Sequence, residues 1–318
     1  MTFIFIFIAT GISLCIFGAN QLIKGASALA RKLNVPPLII GLTLVAFGTS
    51  LPELVVAVSA SLKNSPDIIL GNVLGSNAFN TLFILGVAAL IYPLHVEHST
   101  IKREIPFTIF MTLIFFLLVN DDLLISSGNN FLSKWDALFL LGLFTLYLIL
   151  LLSSMKREPK KTLTSTSKET TVSVIIFQIV FGLAALIFGG ELTVRYAIKL
   201  AETLHIGESL IAATIIAVGT SLPELVTSVY AAVRKEADIA IGNVLGSNIF
   251  NILLITGTSG MISGINFSRN HNIDLLFFCS GLFVLFIAMF TGTRKKLDRW
   301  EAGLLLFLYA GYFTWLLF

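Results

Sequence analysis

Apolar residues run through this chain in long blocks separated by short polar breaks. Ten blocks reach the roughly 20 residues a helix needs to cross about 30 Å of hydrocarbon. They lie at 2–23, 36–62, 67–92, 105–120, 134–152, 173–196, 207–233, 238–263, 273–292 and 300–318. The pattern predicts an all-α membrane protein of ten transmembrane helices. The second, third, seventh and eighth blocks are longer than a straight crossing requires and carry internal Gly, Ser, Asn or Pro, so tilted or broken helices are expected there. The first block has neither a basic leader nor a small-residue cleavage pattern and reads as a retained helix.

Two blocks repeat. Residues 43–60 read TLVAFGTSLPELVVAVSA and 214–231 read TIIAVGTSLPELVTSVYA; 67–80 (DIILGNVLGSNAFN) and 238–251 (DIAIGNVLGSNIFN) match at the same offset of 171. Five crossings separate the copies, an odd number, so the second enters the membrane from the opposite side. The expected organisation is two inverted five-helix repeats, 1–152 and 172–318, joined by a polar, basic linker at 153–171.

Charge placement gives the orientation. Of 21 Lys and Arg residues, 16 fall in the odd-numbered loops, which the positive-inside rule makes cytoplasmic; both termini are then extracellular or periplasmic. The composition, 56% hydrophobic and 12% charged, with a mean hydropathy of +0.92, makes the lipid bilayer the surrounding solvent. The net charge of +3 is a topology signal and gives no reason to invoke nucleic acid. No G-x-x-x-x-G-K-[ST] stretch is present, which argues against a nucleotide. Cys15 and Cys279 read as small apolar residues, and the four histidines as solvated loop residues.

Glu53 and Glu224 sit mid-helix, where an ionised side chain costs at least about 2.5–3.5 kcal/mol. No Lys or Arg lies at comparable depth in the repeated helices, so the partner is an imported cation or a proton. Thr49 and Ser50 precede Glu53 by four and three residues and share its helix face, as Thr220 and Ser221 do for Glu224. Pro52 and Pro223 have no N–H to give the carbonyls of Gly48 and Gly219, and the kink frees backbone oxygen. Asn72, Ser76 and Asn80 form a second polar stripe, repeated as Asn243, Ser247 and Asn251. Gly71, Gly75, Gly242 and Gly246 are read as helix-contact positions, and Asp67 and Asp238 as helix-start carboxylates. An oxygen-only site suits Ca²⁺ and Na⁺; zinc or copper would call for His or Cys. No separate cofactor is expected.

The duplicated GTSLPE (48–53, 219–224) and the pair GSNAFN (75–80) and GSNIFN (246–251) resemble the alpha repeats of the cation/Ca²⁺ antiporter superfamily, the Na⁺/Ca²⁺ exchanger group. The resemblance implies a core of helices 2, 3, 7 and 8, with helices 1 and 6 sliding against it. It also implies a central Ca²⁺ held by Glu53, Glu224, the backbone of Thr49 and Thr220, and Asn80 and Asn251. Flanking Na⁺ would be held by Ala46, Ser50, Ser76, Ala217, Ser221 and Ser247. Archaeal-type members carry Asp at the position of Asn251, so this centre has two formal negative charges instead of three. The expected function is secondary antiport of Na⁺ for Ca²⁺ in a prokaryotic inner membrane, extruding Ca²⁺, and no enzyme activity. Counter-transport of H⁺ or K⁺ keeps the same fold. A passive cation channel and an intramembrane hydrolase using Ser50 or Ser221 are the readings from other classes; the latter lacks a basic partner for its nucleophile.

Overall fold

The computed structural model describes residues 2–97, 100–122, 130–154, 171–204, 217–292 and 295–317. The expected linker lies outside them from 155 to 170, as do the first half of the seventh block (207–216), His98 and His205. The described chain is almost wholly helical. In order come α1 (Thr2–Leu33), α2 (Pro37–Thr49), α3 (Leu51–Leu62), α4 (Pro66–Ile91), α5 (Ile105–Val119), α6 (Lys134–Ser154), α7 (Val172–Thr203), α8 (Leu222–Val233), α9 (Ala237–Ser263), α10 (His271–Ala288) and α11 (Arg299–Leu317). Among the described residues six helices are long and apolar enough to cross a membrane, and α2 and α3, bent by 47° at their break, reach that length and apolarity only together.

Two helix ends depart from the hydropathy boundaries. α1 continues to Leu33 instead of stopping near residue 23, and α7 to Thr203 instead of 196. Both overruns are amphipathic. Along 24–33, Ala26, Ser27 and Ala30 are buried while Lys24, Arg31 and Lys32 face outward. A hydropathy count ends near the first charges; the helix continues because its backbone bonds are internal and one face still has a partner.

That partner is α7, against which α1 lies along most of its length. Glycines make the seam. A Cβ on Gly18 would lie 2.7 Å from the carbonyl oxygen of Gly182, one on Gly182 2.6 Å from the Leu22 amide nitrogen, and one on Gly189 2.7 Å from the Gly11 carbonyl oxygen. Gly11 and Gly182, and likewise Gly18 and Gly189, are repeat equivalents, so the pairing is crossed. Only residues without a side chain allow such backbone approach in lipid.

The repeated helices α2, α3, α4, α8 and α9 form the centre. α9 is buried over 94% of its apolar window, and it meets α2 where Gly41 faces Gly242 and Gly246 abuts Ala46 and Leu42. The Gly242 and Gly246 contacts match the sequence expectation; Gly71, where a Cβ would meet nothing within 4 Å, and Gly75, where it would meet only the Tyr312 hydroxyl at 3.8 Å, do not. Two short antiparallel pairs tie loops on the outside of the bundle: β1 (Leu94–His95) with β4 (Lys296–Leu297), and β2 (Phe131–Leu132) with β3 (Ile265–Asn266). His271 corrects an expectation. It is no solvated loop residue: its ring nitrogens contact Asp274 at 2.9 Å and Asp67 at 3.4 Å, and Tyr312 donates to the same Asp274 at 2.9 Å. Asp67 therefore faces this histidine across to α10, and no side-chain cap bond opens α4.

Candidate cation site

The two GTSLPE segments each break a helix at the serine. Ser50 is the N-cap of α3, with φ −82° and ψ 6°, and Ser221 is the N-cap of α8, with φ −87° and ψ 10°. Proline follows in the first turn, where its missing N–H leaves no bond unmade. An N-cap serine ordinarily turns its hydroxyl onto its own helix. Neither does so here, because both hydroxyls are used across the repeat interface.

Ser50 Oγ donates to Glu224 Oε1 at 3.1 Å, and Ser221 Oγ to Glu53 Oε1 at 2.9 Å. Each repeat's serine thus holds the other repeat's carboxylate. The same crossing recurs one position earlier: Thr49 Oγ1 donates to Asn243 Oδ1 at 3.1 Å, and Thr220 Oγ1 to Asn72 Oδ1 at 3.4 Å. Asn72 and Asn243 in turn donate to the backbone carbonyls of Glu53 (3.0 Å) and Glu224 (3.4 Å). Glu53 and Glu224 each stand in the first turn of their half-helix, where the partial positive charge of the N-terminus favours a carboxylate. Both are buried, at 1% and 0% exposure.

α4 and α9 carry the next layer. A π-helical turn begins at Phe79 and another at Phe250, each one residue before the asparagine that closes GSNAFN or GSNIFN. Such turns shift the register of the side chains that follow. Asn80 Nδ2 donates to Asn248 Oδ1 at 3.3 Å, and Asn251 Nδ2 to Asn77 Oδ1 at 2.9 Å. Because each amide's nitrogen is committed to a partner, its oxygen is turned the other way.

Four acceptor atoms are left buried without a hydrogen-bond partner: Glu53 Oε2, Glu224 Oε2, Asn80 Oδ1 and Asn251 Oδ1. They are two equivalent pairs, one pair from each repeat. The Ser247 hydroxyl is unpartnered too, whereas the Ser76 and Ser221 hydroxyls are hydrogen-bonded to each other at 2.9 Å. Buried acceptors without donors are costly, and oxygens of this kind, two of them carboxylate, are the ligands a hard cation takes. Among the described residues no group of three or more His, Cys, Asp or Glu side chains could hold a metal ion, so whatever charge the site holds comes from these two glutamates.

The remaining expected residues take supporting places. The Ala46 carbonyl accepts the Ser50 amide at 3.0 Å, and of Ala217 only the backbone, at the start of a short helical turn, is described. Gly48 abuts Leu183 and Gly219 abuts Val194, both on α7. Pro52, Pro223, Gly219 and Thr220 line a cavity of about 620 Å³ that runs along α7 to Glu191 and Arg195. Sequence reasoning did not single out Asn77 and Asn248, although both stand inside the quoted motifs. Thr81 and Ser228, which accept from Asn248 at 2.8 Å and from Asn243 at 2.9 Å, have no repeated counterpart that could have flagged them.

A model of the sodium/calcium exchanger protein family matches residues 3–153 and 174–318. The chain belongs to this family. The match falls in two parts, one on each repeat, and the family is one of transporters. Among relatives, the sodium/calcium exchanger MaX1 of Methanosarcina acetivorans is 32% identical over 342 residues, covering 97% of each chain. The inner membrane protein YrbG of Escherichia coli is 36% identical over 276 residues, covering 84% of this chain and 83% of that one. A solved structure of the sodium-calcium exchanger NCX_Mj, soaked with 10 mM Na⁺ and 10 mM Sr²⁺, superposes with a TM-score of 0.84 at 28% identity over 99% of both chains. The described fold is therefore that of this membrane exchanger family.

Proposed function

We propose that the chain is a secondary antiporter that exchanges Na⁺ for Ca²⁺ through one site shared by its two halves. The observation that carries this reading is the set of four buried, partnerless oxygens, two of them carboxylate, contributed equally by the repeats. Two glutamates balance one Ca²⁺. Glu53, Glu224, Asn80 and Asn251 are the central ligands. The backbones of Thr49 and Thr220 line the centre, while Ala46, Ser50, Ser76, Ala217, Ser221 and Ser247 supply the flanking Na⁺ positions.

The architecture that serves this function is ten crossings in two inverted repeats, 1–152 and 172–318, with the linker at 153–171 in the cytoplasm and both termini outside. α2 with α3, α5, α8 and α11 complete the count beyond the six long apolar helices. The membrane is the prokaryotic inner membrane, and the direction is Ca²⁺ extrusion on the inward Na⁺ gradient. Because the same two glutamates serve both ions, occupancy is exclusive, and the difference in affinity between the two access states couples the fluxes.

Equilibrium binding of ⁴⁵Ca²⁺ to the purified protein tests the proposal. One Ca²⁺ per chain, displaced competitively by Na⁺, is the expected result. Displacement by protons with no effect of Na⁺ would assign Ca²⁺/H⁺ exchange instead, and absence of saturable Ca²⁺ binding would refute both.

A further inference from the structure

A second polar cavity, of about 360 Å³, lies far from the glutamates, where the C-terminal ends of α1 and α8 meet the first turns of α7. Its walls include Lys24, Ser27 and Arg31 from α1, Gln178 from α7, and Arg234 and Glu236 from the end of α8 and the residues after it. Three cations against one carboxylate leave a net charge of about +2. Among the described residues Lys24 and Arg31 form no ion pair, while Arg234 donates to Asn20 Oδ1 of α1 at 2.9 Å. The Ser27 hydroxyl is buried at 7% exposure and has no partner. It is a donor without an acceptor in a wall where cations outnumber carboxylates three to one.

The surroundings say what kind of anion fits. Phe17 stands seven residues before Lys24, so the two share one stripe of α1 about 10 Å apart. Phe17 packs edge-on against Phe181, which stacks on Phe177, and all three rings are exposed on the lipid-facing side. A charged cavity at the helix ends with an aromatic wall running toward the membrane interior matches a molecule that has an anionic head and an apolar chain. We infer that this cavity binds the phosphodiester headgroup of an anionic phospholipid, held by Lys24, Arg31, Arg234 and the Ser27 hydroxyl, with an acyl chain against Phe17 and Phe181. Basic recesses between membrane helices bind anionic lipid in this way. The headgroup bridges α1 to α8, the half-helix that carries Glu224. The inference does not depend on which ions the protein exchanges.

Native mass spectrometry of the delipidated full-length protein, supplied with equal amounts of dioleoylphosphatidylglycerol and dioleoylphosphatidylethanolamine, tests it. The unaltered chain is expected to retain the glycerol lipid over the ethanolamine lipid by about fivefold or more for each cation engaged. In the double variant Lys24→Gln with Arg31→Gln the preference falls to near unity, and Ser27→Ala weakens it. Lys32→Gln, on the same helix end but outside the cavity, leaves it unchanged. Should the double variant not fold, Arg31→Gln alone carries the same expectation. Equal retention of the two lipids by the unaltered chain, a double variant that keeps the preference, or millimolar inorganic phosphate binding at these residues without any lipid preference would each overturn the assignment.

Discussion

Replacing Glu53 by Gln preserves the shape of the side chain and an oxygen that Ser221, 2.9 Å from Oε1, can still donate to, while removing one of the two formal charges facing the shared centre. Two opposite charges, one divalent, about 4 Å apart at an effective dielectric of about 20 attract by about 8 kcal/mol. Much of that is offset by what it costs to strip water from both ions, and measured losses on truncating one member of a buried charge pair run at about 2–5 kcal/mol. The corresponding weakening of Ca²⁺ binding is about 30- to 4,000-fold. Glu224→Gln should fall in the same range, since Ser50 holds Glu224 as Ser221 holds Glu53. Titration calorimetry in Na⁺-free buffer measures it. A second readout separates loss of a ligand from loss of the fold: without Ca²⁺ the variant should melt no lower than the unaltered protein, because a buried charge lacking a counter-charge has been removed, yet Ca²⁺ should no longer raise its melting temperature. A loss of less than threefold in affinity, or a variant destabilised without Ca²⁺ and still stabilised by it, would refute the reasoning.

Other substitutions report on the supporting structure. Asn77→Ala frees the Asn251 amide from the bond that aims its oxygen inward, and should cost about 1 kcal/mol, or roughly fivefold, in Ca²⁺ affinity by the same titration. Asn243→Leu removes the donor to the Glu224 carbonyl and Ser228, while the Thr49 hydroxyl keeps the Val45 carbonyl at 3.1 Å, and should lower stability by about 1–3 kcal/mol for each group left buried and unmatched, read as a fall in melting temperature. Gly182→Ala places a Cβ 2.6 Å from the Leu22 amide nitrogen and 2.8 Å from the Gly18 carbonyl oxygen. Backbone cannot yield as a side chain does, so a loss of about 1–3 kcal/mol is expected, against little change for Gly303→Ala, whose Cβ meets nothing within 4 Å.

The duplication, the buried glutamates and an interruption within each GTSLPE are legible in the sequence, because each depends on residue type and spacing along one segment; the expected positions of the interruption are Gly48, Pro52, Gly219 and Pro223, whereas the helices break at Ser50 and Ser221. The crossed pairing is not legible. Nothing local distinguishes a Ser50 that caps its own helix from one that reaches Glu224, since that choice is made only when the two repeats come together. Asn77 and Asn248 were passed over because the four-residue stripe through Asn72, Ser76 and Asn80 leaves them on another face; their role depends on the partner repeat. The seam of α1 and α7 did leave a signal, Gly11, Gly18 and Gly25 at intervals of seven, which a search for apolar length does not register. The same search stopped α1 just before Lys24 and α7 one residue past Arg195, where an amphipathic face takes over. His271 looked like a loop residue because Asp67, one of its two carboxylate partners, is 204 positions away in the chain.

The central claim is that two glutamates from inverted halves form a single site served alternately by Ca²⁺ and Na⁺. Its most direct test is ⁴⁵Ca²⁺ uptake into liposomes holding the purified protein, with Na⁺, K⁺ and H⁺ gradients imposed one at a time. Uptake is expected when Na⁺ is high inside the liposomes and low outside, none when the Na⁺ gradient is collapsed, and none with Glu53→Gln or Glu224→Gln. Uptake indifferent to the Na⁺ gradient, or surviving the loss of both glutamates, would contradict it.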